Sequence, residues 1–118
     1  MSKAEDSKVV DKEKEIKPKY RVTPRFYSRL NRKNRTLIYE VHLPGVNKEL
    51  VSLKILPDLM HLEAPREMEE SIVVYTLSRY FPWEVDPESI EAKCADGLMN
   101  FSIKIKDPLS EAVDIKLE

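Results

Sequence analysis

One cysteine, two glycines and no long apolar run set the first limits on this chain. A single thiol cannot build a disulfide framework or a multi-cysteine zinc site, so a reducing, cytoplasmic compartment is expected. Two glycines against eight prolines leave no material for a glycine-rich phosphate cradle. No stretch approaches the ~18 apolar residues of a membrane span, and the residues near Met1 lack the apolar centre of a signal peptide. No serine sits in a nucleophile elbow, and the carboxylates are scattered over wet positions. His42 and His61 fall on separate strands with no carboxylate or cysteine at ligand spacing, so neither catalysis, a metal nor a cofactor is expected. Cys94 lies on an apolar face, where an inert small hydrophobe is the expectation.

The 118 residues suit one domain, with 42% apolar and 35% charged side chains. The net charge of −1 conceals a split. Residues 1–37 hold twelve Lys/Arg against five Asp/Glu, a balance of +7; the remainder hold eight against sixteen, a balance of −8. Such asymmetry suits nucleic acid or head-to-tail contact between copies. Here acids interrupt the lysines throughout, so a solvated arm is expected instead of a nucleic-acid surface. Residues 1–19 carry Val9, Val10 and Ile16 as their only sizeable aliphatics. They cannot repay their ordering entropy and are expected to form a charged, disordered arm.

From residue 20 the pattern is period two. Ile90, Ala92 and Cys94 alternate with Glu91 and Lys93; Asp96-Gly97 supplies a tight hairpin turn; Met99, Phe101, Ile103 and Ile105 alternate with polar residues. Upstream, Tyr20–Leu30, Thr36–Leu43, Val51–Ile55, Leu59–Ala64 and Ile72–Phe81 read as strands, separated by polar or proline-containing turns. Pro65–Ser71 reads as a short acidic connection, and Pro82 and Pro87 bracket a crossover. About seven strands over residues 20–106, without an amphipathic helix, predict an all-β antiparallel sandwich. Residues 107–118 follow a proline break and alternate Val113, Ile115 and Leu117 with Asp114 and Lys116. This tail is suited to pair with a sheet edge, of its own domain or of another copy.

Five patterns occur in order: Leu43-Pro44-Gly45-Val46; Val51-x-Leu53-x-Ile55; Phe81-Pro82-x-x-Val85-Asp86; Ile90-x-Ala92-x-x-x-Asp96-Gly97-Leu98-Met99; and Ile115-x-Leu117. Over about residues 36–118 the chain resembles the α-crystallin domain of the small heat-shock proteins. That resemblance implies an immunoglobulin-like antiparallel β-sandwich that acts as an ATP-independent holdase, binds unfolding proteins and forms homo-oligomers, without a membrane. It implies a tail anchored by Ile115 and Leu117. The groove for that anchor would lie between Val51, Leu53 and Ile55 on one side and Ile90, Ala92 and Cys94 on the other. The resemblance departs at three places. Pro65–Ser71 is too short to carry a swapped strand, the N-terminal arm is charged where the family's is apolar, and Leu77 and Arg79 invert the usual basic-then-apolar order. The alternative is a CS-domain-like co-chaperone or adaptor of low oligomeric order. Trp83, on the crossover, either plugs the sandwich end or contacts a partner.

Overall fold

The protein is represented by a computed structural model that describes residues 17–118. Eight strands form: β1 (Lys19–Val22), β2 (Phe26–Asn31), β3 (Thr36–His42), β4 (Ser52–Ile55), β5 (Leu59–Glu67), β6 (Ile72–Tyr80), β7 (Glu91–Ala95) and β8 (Leu98–Lys104). They make two four-stranded sheets, in the orders β1-β6-β5-β4 and β2-β3-β8-β7. All ladders are antiparallel except β1 on β6. The expected all-β sandwich is the observed architecture.

One strand more than expected arises at Pro24. It is buried, and its fixed φ and missing N–H break the Tyr20–Leu30 stretch into two pieces. β1 joins one sheet and β2 the other. Most of the expected arm, residues 1–16, lies outside the described residues. Its last three residues do not behave as an arm: the Pro18 carbonyl accepts from the Ile72 N–H at 2.9 Å, and Lys17 reaches Glu67 at 3.1 Å. Backbone pairing needs no apolar side chains, so composition did not reveal it. Pro65–Ser71 is likewise corrected, because β5 continues through Glu67 and leaves only residues 68–71 as the turn. β4 stops opposite Glu63. Pro65 therefore interrupts no ladder on that side.

The core is the period-two pattern folded inward. Leu37, Tyr39 and Val41 of β3 face Met60, Leu62 and Ala64 of β5, with Met99, Phe101 and Ile103 of β8 beside β3; all are buried. The two punctuation motifs meet. Asp96 (φ 51°) and Gly97 (φ 77°) form the two-residue turn between β7 and β8, the positive-φ pair that matches strand twist. The Leu43 N–H donates to the Gly97 carbonyl at 2.8 Å. A Cβ on Gly97 would lie 3.1 Å from the Pro44 Cα, so both backbone angle and space require glycine there. On the crossover, Phe81 and Val85 are buried plugs, and the Asp86 side chain accepts from the Glu88 N–H to cap a short 3-10 turn.

Candidate functional site

The sandwich has two open flanks, and the packing shows which strands share each. Arg79 of β6 lies over the Phe26 ring of β2, with its guanidinium carbon 4.9 Å from the ring centroid. The β1–β6 side therefore overlies β2, and the edge strands β4 and β7 share the opposite flank.

On the β4–β7 flank, ladder partners fix the facing. Leu53 and Ile55 sit opposite Leu62 and Met60, and Ala92 and Cys94 sit opposite Phe101 and Met99. Paired residues share a face, so all four point to the sandwich interior. Val51 and Ile90 are not strand residues; each closes a short 3-10 turn just before its strand. Val51, Leu53, Ile55, Ile90 and Cys94 are half-buried against the core, while Ala92 is exposed. The geometry thus places all six expected groove residues along one flank, each row the unpaired edge of its sheet. Apolar side chains and free backbone groups coincide there. An extended peptide can use both, by adding a strand and inserting alternate side chains.

The expected tail anchors do not occupy this flank in their own chain. Asp107–Ala112 form a turn in which the Asp107 side chain accepts from the Leu109 N–H at 3.0 Å. Lys106 binds Glu111 at 3.1 Å and lies 3.7 Å from Glu84, and these carboxylates hold its ammonium above the usual lysine range. Beyond the turn, Ile115 is 75% and Leu117 88% exposed. No ladder includes residues 107–118 among the described residues. Both anchors are presented to solvent on a segment that leaves the sandwich.

The second flank was only partly anticipated. Trp83 is 49% exposed and forms the wall between two clefts. One, of ≈ 370 Å³, is lined by Phe26, Leu30, Leu37, Tyr39, Arg79 and Tyr80 among others. The other, of ≈ 490 Å³, is lined by Leu30, Arg32, Arg35, Trp83 and Ile105. Trp83 thus does not plug the sandwich end; Phe81 and Val85 do. The departure noted at Leu77 and Arg79 has its explanation here. Leu77 fills the core, and Arg79, also inward by register, escapes burial by lying across Phe26.

Neither histidine stands without a carboxylate. His42 contacts Glu40 at 3.3 Å and His61 contacts Glu63 at 3.2 Å, each two residues away on the same strand face. The other ring nitrogen of His61 meets the Ser78 hydroxyl. The sequence reading missed these partners because it sought metal-ligand spacing, whereas a strand brings i and i+2 together. The His61 hydrogen bond, then Arg21, holds the Glu63 carboxyl below the usual range. All of these groups stand on outer sheet faces. Among the described residues no cluster of His, Cys, Asp or Glu is suited to a metal, and no helix is long and apolar enough to cross a membrane.

No family model matches the sequence, and no curated protein does. Solved structures match well. Heat shock protein 16.0 from Schizosaccharomyces pombe superposes with a TM-score of 0.65 at 18% identity, over 83% of this chain and 77% of that one. A small heat-shock protein from Xylella fastidiosa gives 0.64 at 13% identity, over 82% of this chain and 97% of that one. The Del-C4 mutant of hsp14.1 from Sulfolobus gives 0.61 at 18% identity, over 71% and 76%. With its two sheets of four, its crossover and its paired Leu-Pro-Gly and Asp-Gly turns, the chain has the β-sandwich fold of the small heat-shock proteins.

Proposed function

We propose that the chain is a small heat-shock protein in function as well as fold: a holdase that captures unfolding proteins without ATP or chemistry of its own. The observation that carries this reading is the β4–β7 flank, where half-buried Val51, Leu53, Ile55, Ile90 and Cys94 border two unpaired strand edges. An apolar segment of an unfolding protein gains there about 25 cal/mol per Å² of buried area, offset by the cost of ordering it. The same flank accepts the Ile115-x-Leu117 tail of a neighbouring copy. Tail exchange builds homo-oligomers, covers the edges at rest and yields them to clients. A soluble, cytoplasmic protein is the corresponding setting.

The test is suppression of aggregation. Reduced insulin chains precipitate and scatter light; the purified protein at near-equal mass should suppress that signal with no nucleotide present. Undiminished scattering would exclude the holdase reading. The hairpin turn at residues 68–71, which carries no strand of its own, favours a second reading, a co-chaperone-like adaptor of low order. Light scattering of the protein alone separates the two. An assembly of many subunits supports the holdase, and a monomer or dimer that leaves insulin to aggregate supports the adaptor.

A further inference from the structure

The β2–β6 flank differs from the β4–β7 flank in the chemistry of its rim. Arg29 and Arg79 line the cleft on one side of Trp83, and Arg32 and Arg35 line the cleft on the other; no acidic residue lines either. All four arginines are exposed, and among the described residues none forms an ion pair. Between them the lining is largely apolar, with Leu30 shared by the two clefts, Phe26 in one and Ile105 in the other. β2 ends its sheet, so its outer backbone groups have no strand partner. By contrast, the rim of β4 and β7 mixes Lys54 and Lys93 with Glu91. Among the described residues, an apolar floor, a free strand edge and a rim of one charge sign coincide on the β2 side.

We propose that the β2–β6 flank is a second docking surface, which takes extended segments of unfolding proteins whose aliphatic side chains alternate with carboxylates. In such a segment, residues two apart are about 6.6 Å from each other and point the same way. Two such aliphatics are offered to the two clefts that share the Trp83 indole as a wall. The carboxylates of the segment meet guanidinium groups, whose planar fork engages carboxylate oxygens two at a time. Another copy's β2 is a poor occupant, because it would bring two arginine-rimmed flanks together. The flank thus selects clients by charge, while the β4–β7 flank does not. This inference rests on the holdase reading for its biological meaning, but its test does not.

Trp83 is the only tryptophan, so its emission reports this flank alone. The full chain would be titrated with two unstructured synthetic peptides of equal length, one alternating valine with aspartate and the other valine with lysine. The aspartate peptide should shift Trp83 emission to the blue and bind roughly tenfold more tightly than the lysine peptide, a preference that fades in high salt. Arg32→Glu with Arg35→Glu leaves two guanidinium groups against two carboxylates, so it should abolish the preference and leave the melting temperature unchanged, since both side chains are exposed. Equal affinity for the two peptides would overturn the proposal. So would peptide binding to which Trp83 is blind, or an emission shift on simple dilution, which would show that another copy already covers the flank. Aspartate selectivity in a protein that fails to protect insulin would retain this surface and remove the holdase reading; protection of insulin with a silent Trp83 would do the opposite.

Discussion

Truncating Phe101 to alanine tests the packing on which both flanks rest. Phe101 is 2% exposed, lies opposite Tyr39 on β3 and Ala92 on β7, and stacks on the Tyr39 ring at 4.8 Å and 6° between planes. The ladder bonds of β8 use backbone groups, so the substitution leaves pairing intact and removes only the ring. Loss of a buried phenylalanine costs about 3–5 kcal/mol in transfer and cavity terms, part of it the stacked pair, worth about 0.5–1.5 kcal/mol. The neighbour on the β7 side is exposed Ala92, so the edge strand is free to settle inward and water to enter. The lower half of the range, about 3–4 kcal/mol, is therefore expected. For a sandwich of this size each kcal/mol lowers Tm by roughly 4–8 °C. Urea unfolding followed by circular dichroism should show a lower midpoint with the slope unchanged. Asn100→Ala, on the exposed side of the same strand, should stay within about 0.5 kcal/mol of the parent. If Phe101→Ala unfolds like Asn100→Ala, the inward assignment of β8 is wrong.

Ile115→Ala with Leu117→Ala removes two exposed aliphatics whose proposed docking on a neighbour would contribute about 3–5 kcal/mol before ordering costs; sedimentation should show smaller assemblies with Tm unchanged, and a large fall in Tm would mean the tail stabilises its own domain. Gly97→Ala forces a side chain into positive φ and within 3.1 Å of the Pro44 Cα, which should cost at least about 1–2 kcal/mol; a melting curve like the parent's would show that the turn relaxes at no cost. Burial, opposed by nearby Arg79, raises the Tyr39 phenol above its usual value near 10. The unfolded chain then loses that proton first, so stability is retained below about pH 10 and falls as pH rises through the elevated native value. Tyr39→Phe should unfold less steeply than the parent in that alkaline window, and identical pH profiles would refute the assignment.

Much of the fold was legible because one dry face writes a period of two. The β7–β8 hairpin, the Leu-Pro-Gly stop after β3 and the inward row of Leu53 and Ile55 all follow from alternation plus turn chemistry. What stayed hidden was what side-chain pattern does not encode. β1 is exposed at every residue and is held by a backbone ladder to β6, so Lys19 looked like the end of an arm and Tyr20–Val22 like the start of one strand running on to Leu30. Pro65 looked like a strand stop because sequence does not show that β4 has already ended opposite Glu63. The arginine-rimmed flank joins Arg29, Arg32 and Arg35 to Arg79 and Trp83, some fifty residues later. Only the stacking of one sheet on the other brings them together. The tail pattern was visible, and the structure adds that its anchors stand free of the parent sandwich.

The central claim is that unfolding proteins are held on sheet edges and not on sheet faces. Hydrogen exchange of the protein, alone and saturated with reduced insulin chains, measures this directly, because a strand added to an edge takes up backbone N–H groups that were open to solvent. New protection should appear in β4, β7 and β2, with β3, β5 and β8, already paired on both sides, unchanged. Insulin held in a stable complex while β4, β7 and β2 all exchange as freely as before would contradict the account.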